Sequence, residues 1–136
     1  MPGHAAFVEL IRALAHENAR TLVVGTLARK LHGESIEASD LVLWYDCDGE
    51  NAQRVYRALA RVGAPLDGVS ANDLCMADYA FVYGDAGNEI ELVGGIDGMT
   101  FEDAWYGRLE THAGTVILRV IGAQALRAVK LAERVR

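Results

Sequence analysis

Apolar residues fall into two alternating periods along this chain, and the changes between them outline its elements. Phe7, Leu10, Ile11 and Leu14 recur three and four positions apart, so residues 5 to 19 are predicted as an amphipathic helix. The run TLVVG is short, β-branched and closed by Gly25, which predicts a buried strand, and LARKLHG after it predicts a short helix stopped by Gly33. LVLWY, residues 41 to 45, is too uniformly apolar for an exposed edge, so a strand covered on both faces is expected. DGENAQRVYRALARVG then predicts a helix with Asp48 as N-cap, Glu50 in the first turn, Val55, Leu59 and Val62 facing inward, and Gly63 as the stop.

Turn signals dominate from Ala64 to Asp78, at Pro65, Asp67-Gly68 and Asn72-Asp73, with one helical turn at NDLCMA. YAFVY and EIELV flank the five-residue loop GDAGN, a hairpin pattern. Thr100-x-x-Asp103 resembles a capping box at the head of a helix FEDAWYG. LETHAGTVILRVI predicts a second hairpin turning at Ala113-Gly114, and AQALRAVKLAERVR a closing helix with Leu126, Val129 and Leu131 among its apolar positions. The helix-and-strand opening followed by antiparallel strands gives the fold class α/β (α+β): one mixed β-sheet flanked by helices. With 136 residues, and no repeats or linkers, the whole span 1–136 is read as a single domain.

Charge and cysteine usage narrow the ligands. Thirteen basic against 19 acidic residues give a net charge of -6, which disfavours nucleic acid as a general ligand and broad adhesion to an anionic membrane. The local basic stretches, Arg54, Arg57 and Arg61 at helical spacing and Arg119 to Arg136, are read as solvated helix faces and as cations near a helix C-terminus. No apolar run is long enough to span a bilayer and no basic leader precedes one, so a cytoplasmic protein without membrane contact is expected. Cys47 and Cys75 lack metal-ligand spacing and are read as free thiols.

Three features carry candidate chemistry. The turn VVGT places a glycine and a hydroxyl between a strand and a helix, where backbone amides can approach a phosphate; its bland alternative is a tight turn with Thr26 as N-cap. Asp40, at the head of the LVLWY strand, is a candidate metal ligand or a side chain capping backbone amides. Glu89 and Glu91 alternate on EIELV and share one side, either as ligands or as a solubility device. Ser35, Ser39 and Ser70 lack a nucleophile-elbow context, GGIDG lacks the lysine of a P-loop, and His4, His16, His32 and His112 lack metal-ligand spacing. His32 is read as a helix-end residue, and Trp44, Tyr45, Trp105 and Tyr106 as core or rim aromatics.

In their order along the chain, TLVVGTLARKLHG, DLVLW, GENAQRVYRALARVG, EIELVGGIDGMTFEDAW and VIGAQALRAVK resemble the nucleotidyltransferase superfamily, and more narrowly its small bacterial nucleotidyltransferase-like proteins. That resemblance covers roughly residues 18 to 131 and implies a nucleotidyltransferase-like mixed sheet. It also implies Gly25 and Thr26 at the nucleotide phosphates, and Asp40 and Glu91 as catalytic, Mg²⁺-binding carboxylates. The departures fall on functional positions. Thr26 stands for a second glycine or serine, Ile36 and Ala38 for an arginine and a threonine, Val42 for the second aspartate of an Asp-x-Asp pair, and Glu89 for a basic residue. Lys130 matches the family's lysine, after which the chain departs from the family pattern.

Nucleotidyl transfer uses two Mg²⁺ ions about 3.5–4 Å apart with carboxylates bridging them, and Mg²⁺ takes oxygen ligands only, so Val42 removes a ligand outright. The expectation is a nucleotidyltransferase-fold protein with a degenerate metal site, catalytically impaired and acting by nucleotide or protein binding. Relatives of this group occur in toxin–antitoxin systems, so the resemblance also implies a protein partner or a homodimer. Two alternatives stay open: an active Mg²⁺-dependent enzyme moving a nucleotide from an NTP to a protein or RNA acceptor, with Asp40 and Glu91 at one ion, and a structural homo-oligomer without ligand.

Overall fold

The computed structural model describes residues 2–37 and 40–135, with side chains described for 5–37 and 40–129. Ala38 and Ser39, and the side chains of His4, Lys130 and Leu131, lie outside the described residues. The elements run α1 (Pro2–His16), β1 (Thr21–Val24), α2 (Gly25–Leu31), β2 (Leu41–Tyr45), α3 (Gly49–Arg61), a 3-10 turn at Asp73–Cys75, β3 (Ala80–Tyr83), β4 (Ile90–Val93), α4 (Phe101–Tyr106), β5 (Leu109–Ala113), β6 (Val116–Val120) and α5 (Ala123–Val135).

Six strands form one mixed sheet in the order β3-β4-β2-β1-β6-β5. Neighbours in sequence pair antiparallel, as β1 with β2, β3 with β4 and β5 with β6, while β2 with β4 and β1 with β6 are parallel. Leu41, Leu43 and Tyr45 alternate onto one sheet face and are fully buried, as are Ile90 and Leu92 beside them. α1 and α3 pack against each other over the sheet, and α3 buries Val55, Ala58 and Leu59 completely. Each large aliphatic side chain so placed contributes about 1.5–3 kcal/mol. Trp44, of opposite parity, is covered on the other face by Phe101 of α4 in an edge-on contact at 5.3 Å. The mixed sheet flanked by helices is the expected one.

The boundaries differ from expectation where local bonding ends an element early. α1 stops at His16 rather than at residue 19, because Asn18 takes φ 58 and the Ala19 amide turns back to donate to Leu14 O at 2.9 Å. α2 begins at Gly25 and its N-cap is Val24, so Thr26 lies inside the first turn and is not a cap. The first hairpin loop is longer than GDAGN, since Tyr83 pairs with Ile90 and leaves Glu89 ahead of β4. The second turn falls on Gly114-Thr115, one residue later than expected: Ala113 pairs with Val116, and Gly114 takes φ 62 at the first central position.

The other caps form as their residues dictate. Asp48 accepts from the Glu50 amide at 3.3 Å and Thr100 from the Asp103 amide at 3.2 Å. His32 closes α2, with its Nε2 2.8 Å from Ile121 O, and both cysteines are free. The arginine stripe on α3 is bound to acids: Arg54 to Glu50, and Arg57 and Arg61 to Glu17, just past the end of α1. No helix among the described residues is long and apolar enough to cross a membrane.

Candidate functional site

β2 lies between β1 and β4, so Val42 is opposite Val24 on one side and Glu91 on the other. Paired residues share a sheet face, and Val24, Val42 and Glu91 form one row across three strands. Asp40 stands two positions before Val42, hence on the same face at the head of β2. Gly25 and the exposed Thr26 follow Val24 directly. The fold thus brings the four sequence-predicted site residues, Gly25, Thr26, Asp40 and Glu91, to one end of the sheet around Val42.

Gly25 takes φ 72, a left-handed conformation that side chains disfavour, and a Cβ built on it would lie 3.4 Å from Val42 Cγ2. The valine isopropyl group therefore lies beside the β1–α2 turn, in the row that pairs Val42 with Glu91. Asp40 Oδ1 accepts from the Glu89 amide at 3.2 Å while the Leu41 amide donates to Glu89 O at 3.0 Å. One oxygen of Asp40 therefore holds the start of the parallel β2–β4 pairing, the capping role. Among the described residues no cation lies within ion-pair distance of Asp40 or Glu91.

Among solved structures, the chain is similar to a "putative nucleotidyltransferase" from Thermotoga maritima, with 15% identity over 95% of this chain and 83% of that one and a TM-score of 0.62. The fold is nucleotidyltransferase-like. At that identity the likeness is one of fold. No protein-family model matches the chain, and no curated protein matches it.

On this nucleotidyltransferase-like frame the donor set decides what the site can hold. Among the described residues no three His, Cys, Asp or Glu side chains gather closely enough to bind a metal ion. Two Mg²⁺ ions need carboxylates that bridge them, and the row offers an alkyl group at its centre. The residues present do not fit a two-ion centre.

The opposite end of β2 holds a polar cluster that sequence reasoning missed. Asn51, 3% exposed, accepts from the Arg20 amide at 2.7 Å and donates to Arg20 O at 3.1 Å and Asp46 O at 2.7 Å. The Arg20 guanidinium lies 3.5 Å from Asp46 and 3.0 Å from Glu102, over the rings of Phe101 and Trp105. Arg108 and Arg119 also approach Trp105, at 4.0 and 5.9 Å from its centroid. A cleft of about 390 Å³ opens here, lined in part by Trp44, Asp46, Cys47, Gly95, Phe101 and Glu102, and neither Asp40 nor Glu91 lines it. Burial, and then the Asp46 carboxylate, raise the Cys47 thiol above its ordinary pKa, which keeps it protonated and a poor nucleophile. The Trp105 and Arg108 pair, three positions apart across a helix end, is the one sequence signal for this cluster; nothing in the sequence links Asn51 to Arg20, 31 positions away.

Proposed function

We propose that this protein uses a nucleotidyltransferase-like fold to bind a nucleoside triphosphate at the Gly25-Thr26 turn without efficient nucleotidyl transfer. The observation that carries this reading is Val42, paired with Glu91 and beside the Gly25 turn where the chemistry calls for a bridging carboxylate. The β1–α2 turn has no side-chain cap, so in this reading its amides are left to a phosphate without a competing side-chain acceptor. The exposed Thr26 hydroxyl adds a donor. In this reading Asp40 and Glu91 together contribute two carboxylates, enough to meet a cation carried in by the triphosphate and too few to clamp two. The resemblance to toxin- and antitoxin-associated relatives adds a protein partner as the further ligand class of this reading.

Calorimetric titration with each NTP, with Mg²⁺ or Mn²⁺, tests the binding, and labelled-NTP transfer tests the chemistry. Wild type is expected to bind an NTP and to transfer nothing measurable to itself, to RNA or to candidate protein acceptors. Val42→Asp restores the Asp-x-Asp spacing and is expected to tighten metal-dependent NTP binding about tenfold, on the order of one charge-assisted contact. Transfer by wild type that disappears in Asp40→Ala would sink the proposal in favour of an active enzyme. Absence of NTP binding in wild type and in Val42→Asp alike would leave protein binding as the function of the fold.

A further inference from the structure

β5 ends the sheet, and no described residue pairs with its outer side. None of its five residues is buried, and Leu109 is 43% exposed. Neither proline nor lysine interrupts Leu109–Ala113, although both commonly protect such edges from pairing. Because the β5–β6 hairpin closes on Ala113 and Val116 around a two-residue turn, Leu109, Thr111 and Ala113 spend their backbone groups on β6. The Ile121 amide donating to Val23 O fits this alternation, since it places the odd positions of the β6 run toward β1. Glu110 and His112 therefore direct both amide and carbonyl outward, along the free edge.

We infer that this edge pairs with the same edge of a second copy, antiparallel about a two-fold axis at Thr111. In that register Glu110 faces His112 of the other copy, Thr111 faces Thr111, and Leu109 faces Ala113. The outward backbone groups of Glu110 and His112 meet one another in four N–H···O bonds, two per Glu–His pair, and the sheet continues from one copy into the other. Side chains match as well. A carboxylate meets an imidazole on the face shared with Arg119 and Ile117, and Leu109 meets Ala113 on the buried face. Neighbouring two-fold registers lack this match: an axis at Glu110 sets the two glutamates against each other and His112 against Arg108, and an axis at His112 sets the imidazoles together. Opposed glutamates across a strand pair are unfavourable, and an axis at His112 gives up the carboxylate–imidazole pair, so the sequence LETHA selects the Thr111 register. Glu110 already bridges Arg108 at 3.2 Å and Arg119 at 3.3 Å, which fixes its carboxylate on that face. An isologous strand pair of this kind closes after two copies. It is independent of whether the protein binds nucleotide.

Sedimentation velocity over a concentration series, on wild type and His112→Pro, tests the inference. Proline at position 112 deletes an outward amide and spares the bonds to β6, so the variant is expected to fold with the wild-type circular dichroism and to sediment at half the wild-type mass. Thr111→Cys, in a Cys47→Ser/Cys75→Ser background, is expected to form a disulfide between copies on treatment with oxidised glutathione, while Gly114→Cys in the same background is not. A wild type that sediments as one chain throughout, or a dimer that persists in folded His112→Pro, overturns the inference. Should His112→Pro fail to fold, the Thr111→Cys cross-link decides alone, and its absence overturns the pairing.

Discussion

The two ends of β2 carry the same chemistry in opposite states. At its exit, Asp46 is met by Arg20, Arg20 is shared with Glu102, and Asn51 bonds the Arg20 amide and the Arg20 and Asp46 carbonyls beside a direct Asp46 amide bond to Arg20 O. At its entrance, Asp40 and Glu91 share a sheet face with no described cation near either, and among the described residues the Asp40 carboxylate meets the Glu89 amide. An acid compensated from within holds structure together and has little left for a ligand. An acid left uncompensated is held in place by the fold and remains available to an incoming cation. The difference separates the two ends without any appeal to resemblance.

The sharpest test of the compensated end is Asn51→Ala. Truncation leaves the Arg20 amide and the Asp46 carbonyl without the Asn51 side chain, while Arg20 O keeps the Asp46 amide at 3.2 Å. The expected loss is about 3 kcal/mol, measured by urea unfolding, because unsatisfied buried groups cost about 1–3 kcal/mol each and water will relieve part of that. A loss comparable to an exposed polar substitution would show that the cluster is not the clamp its geometry suggests.

At the entrance the corresponding test is Gly25→Ala. The added Cβ meets Val42 at ordinary contact distance, so the cost comes from φ 72 and is expected at about 1–2 kcal/mol in the same unfolding measurement. Because the turn is also the proposed phosphate seat, NTP affinity is expected to fall in parallel. Loss of stability with unchanged affinity would separate the turn from the binding site.

Much of this contrast was legible in the sequence, for identifiable reasons. Strand and helix positions followed from the spacing of apolar residues, and the grouping of Gly25, Asp40, Val42 and Glu91 from the order of motifs that resembles the nucleotidyltransferase superfamily. What escaped was long-range or set by a single backbone torsion. The Asn51–Arg20 clamp joins residues 31 apart with no pattern between them. Asn18 ended α1 by adopting φ 58, which composition does not announce. Thr26 lost its capping role because α2 begins at Gly25, two residues earlier than a helix capped by that hydroxyl would. Sequence patterns report which face a residue occupies better than which atom it will touch.

A smaller effect probes the core behind the compensated end. The Tyr45 hydroxyl is buried without a hydrogen-bond partner among the described residues, and burial raises its pKa far above the ordinary phenol value. Tyr45→Phe removes an unsatisfied group and is expected to stabilise the protein by about 1 kcal/mol. Tyr83 is pushed up by burial from 10.0 to about 12. Both folded-state values lie above the unfolded one, so the folded protein holds protons that the unfolded chain releases. Stability is then fully present below about pH 10 and falls as pH rises through about 12, more gently in Tyr45→Phe than in wild type. An alkaline limb equal in the two proteins would mean that Tyr45 does not titrate with unfolding.

The smallest expected effects give the most direct contrast. Asp40→Asn keeps an oxygen for the Glu89 amide and removes a charge that no described cation balances, so its stability should stay within about 0.3 kcal/mol of wild type. Asp46→Asn removes a charge facing Arg20 at 3.5 Å, with 23% of the side chain exposed, and is expected to cost about 1 kcal/mol at low salt and less as salt is added. Salt-dependent unfolding of the two variants reads the difference. Equal costs would mean that the field at the entrance is balanced after all, leaving Asp40 as a backbone cap and no more. A cost confined to Asp46→Asn, joined to loss of cation or NTP binding confined to Asp40→Asn, would assign structure to one end of β2 and binding to the other.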